Sequence, residues 1–172
     1  MVDIRQAGVD DAAALHQLAA ETFPLACPPG TAQHSIDAHI AANLSEKRFA
    51  EYLADPSRKI FIAGDFAGYT MLVFGEPTDP DVAAALTTRP TVELSKCYAR
   101  AAEHGTGIAG VLIAHSISAA RESGAAAIWL GVSQVNARAN RFYEKNGFVT
   151  VGEKTFMVAE ELNHDFIREQ IL

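Results

Sequence analysis

Three glycines, Gly105, Gly107 and Gly110, fall within the seven residues His104-Gly105-Thr106-Gly107-Ile108-Ala109-Gly110, after a strand-like run and before a helix-like one. Main-chain N–H groups in such a turn form an anion site. The first-turn donors of a helix lack partners within it, and its dipole favours negative charge there. The expected ligand is therefore a phosphorylated small molecule. The spacing Gly105-x-Gly107-x-x-Gly110 is also that of the dinucleotide fingerprint, but the context excludes that reading. The fingerprint follows a strand directly and needs an acidic residue roughly 20 positions on. Here Arg100 to His104 intervene, and the next strand-like run ends Leu130-Gly131-Val132-Ser133-Gln134 without an acid. A phosphate-binding P-loop is excluded because no Gly-Lys-Ser/Thr follows.

The elements that must hold this turn follow from hydrophobic period and from helix and turn signals. Val2 to Ala7 alternates as a first strand. A helix capped by Asp10 or Asp11 runs through Leu15 and Leu18 toward Glu21, and Pro24, Pro28, Pro29 and Gly30 then predict an irregular segment. Helices are expected over Gln33 to Asn43 and after Ser45, where Phe49, Tyr52 and Leu53 form an apolar face that stops before Pro56. Lys59 to Ala63 and Tyr69 to Phe74 read as a hairpin, and Glu76 to Pro90 as a loop or short helix. Val92 to Ala99 is a strand and Ile108 to Ser123 a helix packed on the sheet, ended by Gly124. Ala126 to Val132 is a wholly apolar central strand. Asn136 to Lys145 is helical, with Asn146-Gly147 as its stop. Phe148 to Val151 and His164 to Ile171 read as two last strands linked by Gly152 to Asn163. The result is an α/β fold around one mixed central sheet, with helices on both faces.

With 172 residues, of which 49% are apolar and 20% charged, the chain suits one domain over residues 1–172 with a substantial core. A net charge of −7 argues against nucleic acid as a partner and fits a cationic substrate or simple solubility. No apolar run reaches the roughly 18 residues of a membrane span. The N-terminus carries Asp3 and Arg5 with no apolar segment of a signal peptide behind them. Two cysteines, Cys27 and Cys97, make no disulfide framework, and a reduced, cytoplasmic protein is expected. The six histidines show no metal-ligand spacing. His34 and His39, near Asp37, read as a solvated helix face, so no metal is expected.

The element order and two motifs resemble the GNAT superfamily of acetyl-CoA-dependent N-acetyltransferases. The family turn, Gln/Arg-x-x-Gly-x-Gly/Ala, is matched by His104-x-x-Gly107-x-Ala109. Its second motif, an Asn after the fifth strand, a helix with Phe/Leu-Tyr and then Gly-Phe, is matched by Asn136 through Phe142-Tyr143 to Gly147-Phe148. Glu93 to Tyr98, Ile128 to Val132, and Val151-Gly152 through Phe156 to Asp165 are similar to the PaiA-like branch, associated with spermidine and spermine. So are Thr22-Phe23-Pro24 and Asp55-Pro56. Three departures stand out. His104 replaces Gln or Arg, which a loop working through main-chain donors tolerates. Ser133-Gln134 replaces the Trp-Glu of the branch. Gly131, shared with the branch, occupies the strand where other members carry a catalytic acid, so a base must come from elsewhere.

The resemblance implies acetyl transfer to a primary amine by direct attack in a ternary complex. A small polyamine comes first as acceptor and a protein N-terminus or lysine second; an acyl-CoA-binding regulatory protein is the rival from another class. It assigns Gly105, Thr106, Gly107, Ile108, Ala109 and Gly110 to the pyrophosphate and Cys97, Tyr98 and Ala99 to the pantetheine amides. It brings Asn136, Tyr143 and Lys145 to the cofactor as well. A lysine-type amine, pKa ~10.4, is almost wholly protonated at neutral pH and gains from a general base. Glu93 is the candidate; its alternatives are an attractor of cations and an ordinary strand glutamate. Tyr143 is the candidate acid toward the leaving sulfur, where a hydrogen bond to developing charge is enough. Asn136 also reads as a helix cap, and Lys145 as a solvated helix-end lysine. Cys97 reads as a small buried hydrophobe rather than a nucleophile. Phe49, Tyr52, Tyr69, Phe74 and Trp129 read as core. A homodimer through exposed strands is compatible with the fold.

Overall fold

The computed structural model of the chain describes residues 2–158 and 160–172; Met1, Ala159 and the side chains of Phe156 and Val158 lie outside the described residues, Phe156 among those the resemblance rested on. Among the described residues, seven strands form one sheet in the order β1-β2-β3-β4-β5-β7-β6. They are β1 (Ile4–Gln6), β2 (Arg58–Ala63), β3 (Gly68–Phe74), β4 (Thr91–Ala99), β5 (Ala127–Ser133), β6 (Val149–Val158) and β7 (Glu161–Ile171). Every neighbouring pair is antiparallel except β4 with β5, which is parallel. A parallel pair needs a crossover, and α5 (Ile108–Glu122) supplies it.

The other helices are α1 (Ala12–Ala26), α2 (Gln33–Asn43), α3 (Glu46–Ala54), α4 (Pro80–Ala85) and α6 (Ala137–Lys145). Ser45 caps α3 by accepting from the Arg48 N–H at 3.1 Å. One core layer joins Leu15, Leu18 and Phe23 of α1 and Phe49 of α3 to Ile60, Ile62, Tyr69 and Met71 on one sheet face. The other packs Leu112, Ile113 and Ala120 of α5 against Leu72, Val92, Leu94, Ile128 and Leu130. Helices therefore cover both faces, as the apolar periods require.

Two expected boundaries differ. Helix α1 does not stop at Pro24 but continues to Ala26, with the Cys27 N–H returning to the Pro24 carbonyl at 3.3 Å. Proline in a last turn forfeits one N–H bond, and the turn it extends keeps Phe23 buried. The final segment is not two short strands joined by residues 152–163. It is one long hairpin whose strands pair from Val149↔Glu169 to Val158↔Glu161. The shift in register between Thr150 and Gly152 marks a bulge there.

Candidate active site

Strands β4 and β5 pair only at Thr91↔Ala127, Val92↔Ile128 and Glu93↔Trp129. Beyond that point β4 bonds only β3, and β5 only β7. The sheet opens into a wedge, and the facing strand edges keep main-chain groups that no strand satisfies. A cavity of about 980 Å³ fills the wedge and reaches the turn before α5 on one side and α1 to α3 on the other.

The register between β3 and β4 slips where Met71↔Lys96 is followed by Leu72↔Leu94, so Ser95 is an extra residue on β4. A bulge restores to one face two residues an odd number apart. Leu94 therefore packs toward α5, while Tyr98 packs toward α1 and α3, and Glu93 and Lys96 both line the cavity.

On the α5 side, Gly105 and Gly107 adopt φ of 85° and 91°. The left-handed conformation is accessible to glycine without a Cβ penalty. Gly107 is the N-cap of α5, which has no side-chain cap. Among the described residues, the N–H groups of Gly105, Gly107, Ile108, Ala109 and Gly110 have no protein acceptor. That is the donor set a pyrophosphate requires. Thr106 is different. Its N–H and hydroxyl both bond the Glu103 carbonyl, at 3.1 and 2.6 Å, so it shapes the turn instead of donating to a ligand. The Ile108 side chain is core, and only its main chain is available.

His104 braces this turn. Its Nε2–H donates to the Ala99 carbonyl at 3.1 Å, and its Nδ1 accepts from the Arg138 guanidinium of α6. Because guanidinium only donates and a carbonyl only accepts, the ring carries its proton on Nε2. The residue that departs from the expected Gln or Arg thus ties β4, the turn and α6 together.

Asn136 serves as a cap: its Oδ1 accepts from the Ala139 N–H at 3.1 Å. Its amide nitrogen remains available at the cavity, which Asn136 lines. Tyr143 and Lys145 of α6 also line it, Lys145 with its chain exposed. The Tyr143 hydroxyl interacts with the Cys97 thiol. Burial holds the Tyr143 phenol well above its usual pKa, so it stays protonated and keeps a proton to donate. Burial pushes the Cys97 thiol up to about 12, which removes it as a nucleophile.

The opposite lobe holds the ionisable groups. Burial raises the Glu93 carboxyl, partly opposed by Lys154, Lys96 and Arg58. Asp165 of β7 is likewise raised by burial, opposed chiefly by Lys154, whose Nζ is 3.7 Å from its Oδ2. Gly131 makes room for this pair: a Cβ there would lie 2.7 Å from Lys154 Cε and 3.4 Å from Asp165 Oδ2. A carboxyl thus lies beside Gly131, carried by β7 rather than β5. Sequence reading missed Asp165 and Lys96 as site residues. Lys96, in a strand that also carries Thr91, Glu93 and Ser95, gave no signal of its own; Asp165 had none either, since only the β5–β7 register brings it here.

His39 is corrected. It is not on a solvated face but half-buried at the cavity, stacked on Phe23 at 4.4 Å, whereas His34 is exposed. Tyr52 lines the cavity as well as the core, while Phe49, Tyr69 and Trp129 are core.

The acetyltransferase (GNAT) family matches residues 12–148. An uncharacterized N-acetyltransferase of Mycobacterium tuberculosis is 44% identical over 160 residues, 91% of this chain and 95% of the relative. Among solved structures, the PaiA N-acetyltransferase from Thermoplasma acidophilum in complex with coenzyme A superposes with a TM-score of 0.78 at 18% identity. That match covers 100% of this chain and 99% of the other. Arabidopsis thaliana NAA60 in complex with a bisubstrate analogue gives 0.75 at 13% identity, covering 100% and 99%.

Proposed function

The chain belongs to the GNAT family of acetyltransferases, and on that premise we propose that it acetylates the primary amine of a small molecule by direct attack in a ternary complex. It is an acetyl-CoA-dependent N-acetyltransferase. The observation that carries the proposal is the continuity of one cavity. It joins the unpartnered N–H groups before α5, the free edge of β4, Tyr143, and a second lobe with two raised carboxyls.

The residues divide the chemistry. Main-chain donors at Gly105, Gly107, Ile108, Ala109 and Gly110 hold the pyrophosphate, and the β4 edge at Cys97 to Ala99 pairs with the pantetheine amides. Asn136 and Lys145 flank the cofactor. The acceptor nitrogen attacks the thioester carbon as the C–S bond breaks. Glu93 or Asp165, directly or through water, takes the proton that the amine loses. Tyr143 gives a hydrogen bond to the departing thiolate, which is too weak a base to take the buried phenol's proton fully, and the thiolate takes its proton from water on release.

The resemblance to the PaiA-like branch nominates a polyamine as acceptor, and the two carboxylates support an entering ammonium. Protein amines are the second class. The test is acetyl-CoA-dependent thiol release across spermidine, spermine, amino acids and lysine-ended peptides. Turnover with small amines is the expected result; turnover with peptides alone moves the acceptor to proteins, and binding of CoA without thiol release on any amine overturns the reading.

A further inference from the structure

Three cations converge on the ring of Tyr52 at the acceptor end of the cavity. Arg48 Cζ and Arg58 Cζ each lie 5.0 Å from its centroid, and Lys96 Nζ lies 5.5 Å away. The two arginines are neutralised locally: Arg48 pairs with Glu51 at 3.3 Å and Arg58 with Asp55 at 3.1 Å. Lys154, the other lysine of the lobe, pairs with Asp165. Lys96 has no such partner. Among the described residues it makes no ion pair or hydrogen bond, although its chain is largely buried against Tyr52 and it lines the cavity. Glu93, on the same face of β4, attracts it from a distance without meeting it.

A largely buried ammonium without a contacting counter-ion is costly, and proteins complete such charges with a partner. Here the place for that partner is open cavity rather than protein. We propose that Lys96 receives an anionic group, a carboxylate or a phosphate, carried by the acceptor amine. This rests on the cavity being the amine-acetylating site and names the class of amine. The acceptor lies between two opposite charges held apart on one strand face, its amine toward Glu93 and Asp165 and its anion toward Lys96 and Tyr52. Asn43, which also lines this end, offers a neutral amide to the same group. A bare polyamine, the acceptor that the resemblance alone nominates, leaves the Lys96 ammonium without that counter-ion.

Matched pairs isolate the anion: β-alanine with β-alaninamide, L-lysine with L-lysinamide, and O-phosphoethanolamine with ethanolamine, alongside spermidine, each followed by thiol release with saturating acetyl-CoA. The expected result is a kcat/KM at least tenfold higher for the anionic member of one pair, carried by KM. That preference collapses to near unity in Lys96→Met and persists in Lys96→Arg, which keeps the charge. Preference in the carboxylate pairs alone identifies the anion as carboxylate; preference in the phosphate pair alone identifies it as phosphate. Equal use of both members of every pair, or an unchanged preference in Lys96→Met, overturns the assignment while leaving the amine-acetylating function standing. Failure to turn over any amine overturns both.

Discussion

Gly131 on β5 and Lys154 on β6 approach so closely that a methyl group at 131 would lie 2.7 Å from Lys154 Cε, although β7 runs between their strands. The lysine passes over the glycine to reach Asp165. A side chain at 131 therefore meets the flexible stem of a lysine, not backbone. Gly131→Ala is expected to fold, with a stability change within about 1 kcal/mol, and to lose roughly tenfold in kcat/KM because the Lys154–Asp165 pair is displaced. Thermal unfolding and steady-state kinetics on the same preparation separate the two effects.

Asp165 and Glu93 both have raised carboxyl pKa values, burial being the first cause. A carboxyl accepts a proton only when ionised. Activity should thus fall as pH drops through a point above the ordinary carboxylate range of about 4. Asp165→Asn and Glu93→Gln should each lower kcat, and the one acting as base should remove the acid limb of the pH–rate profile. An unchanged limb in both variants assigns the proton to another group.

Tyr143→Phe removes one hydroxyl and leaves the ring packed against Phe148 at 5.9 Å. A loss of roughly 10- to 100-fold in kcat is expected, the usual scale for a single acid or oxyanion donor. Calorimetric CoA affinity should stay within a few-fold. Parallel loss of affinity and turnover contradicts the acid role.

The turn before α5 distinguishes its glycines. Gly107 has φ 91°, where an L-residue costs roughly 1–2 kcal/mol. Gly110 has an ordinary φ and open space around the position of a Cβ. Gly107→Ala should destabilise the fold and weaken CoA binding several-fold. Gly110→Ala should raise stability by a few tenths to about 1 kcal/mol through helix propensity. Denaturant titration and CoA calorimetry on both variants test the contrast.

Burial lowers Lys96 from the ordinary 10.5 to about 8, with Arg58 and Arg48 adding to it and Glu93 opposing. Between about pH 8 and 10.5 the unfolded chain binds a proton there that the folded chain does not, so the fold gains stability as pH rises through that window. Below it the whole penalty is present. Lys96→Met should therefore stabilise the protein at pH 7, by on the order of 1 kcal/mol, and flatten the rise between pH 8 and 10.5. Melting curves across that range, wild type against variant, provide the check.

Much of the architecture is legible in the sequence because it depends on local rules. Apolar period sets which face of each element is buried, and Ser45, Asn136, Gly124 and the Asn146-Gly147 stop act within a turn of their own position. The glycine turn and Tyr143 were legible for the same reason: both motifs are contiguous. The Pro24 boundary and the final hairpin were not, since burial of Phe23 and pairing of β6 with β7 are tertiary gains that override local breakers. The charged lobe of the cavity is the clearest case. Glu93 and Lys96 share a face only because of the bulge at Ser95, and Asp165 reaches Gly131 only through the β5–β7 register. His39 lies at the cavity because α2 packs beside Phe23 of α1. By itself the sequence determined the elements and the cofactor turn, whose information is local. Tertiary structure decided which charges share the cavity, because strand register and helix packing alone bring distant residues together.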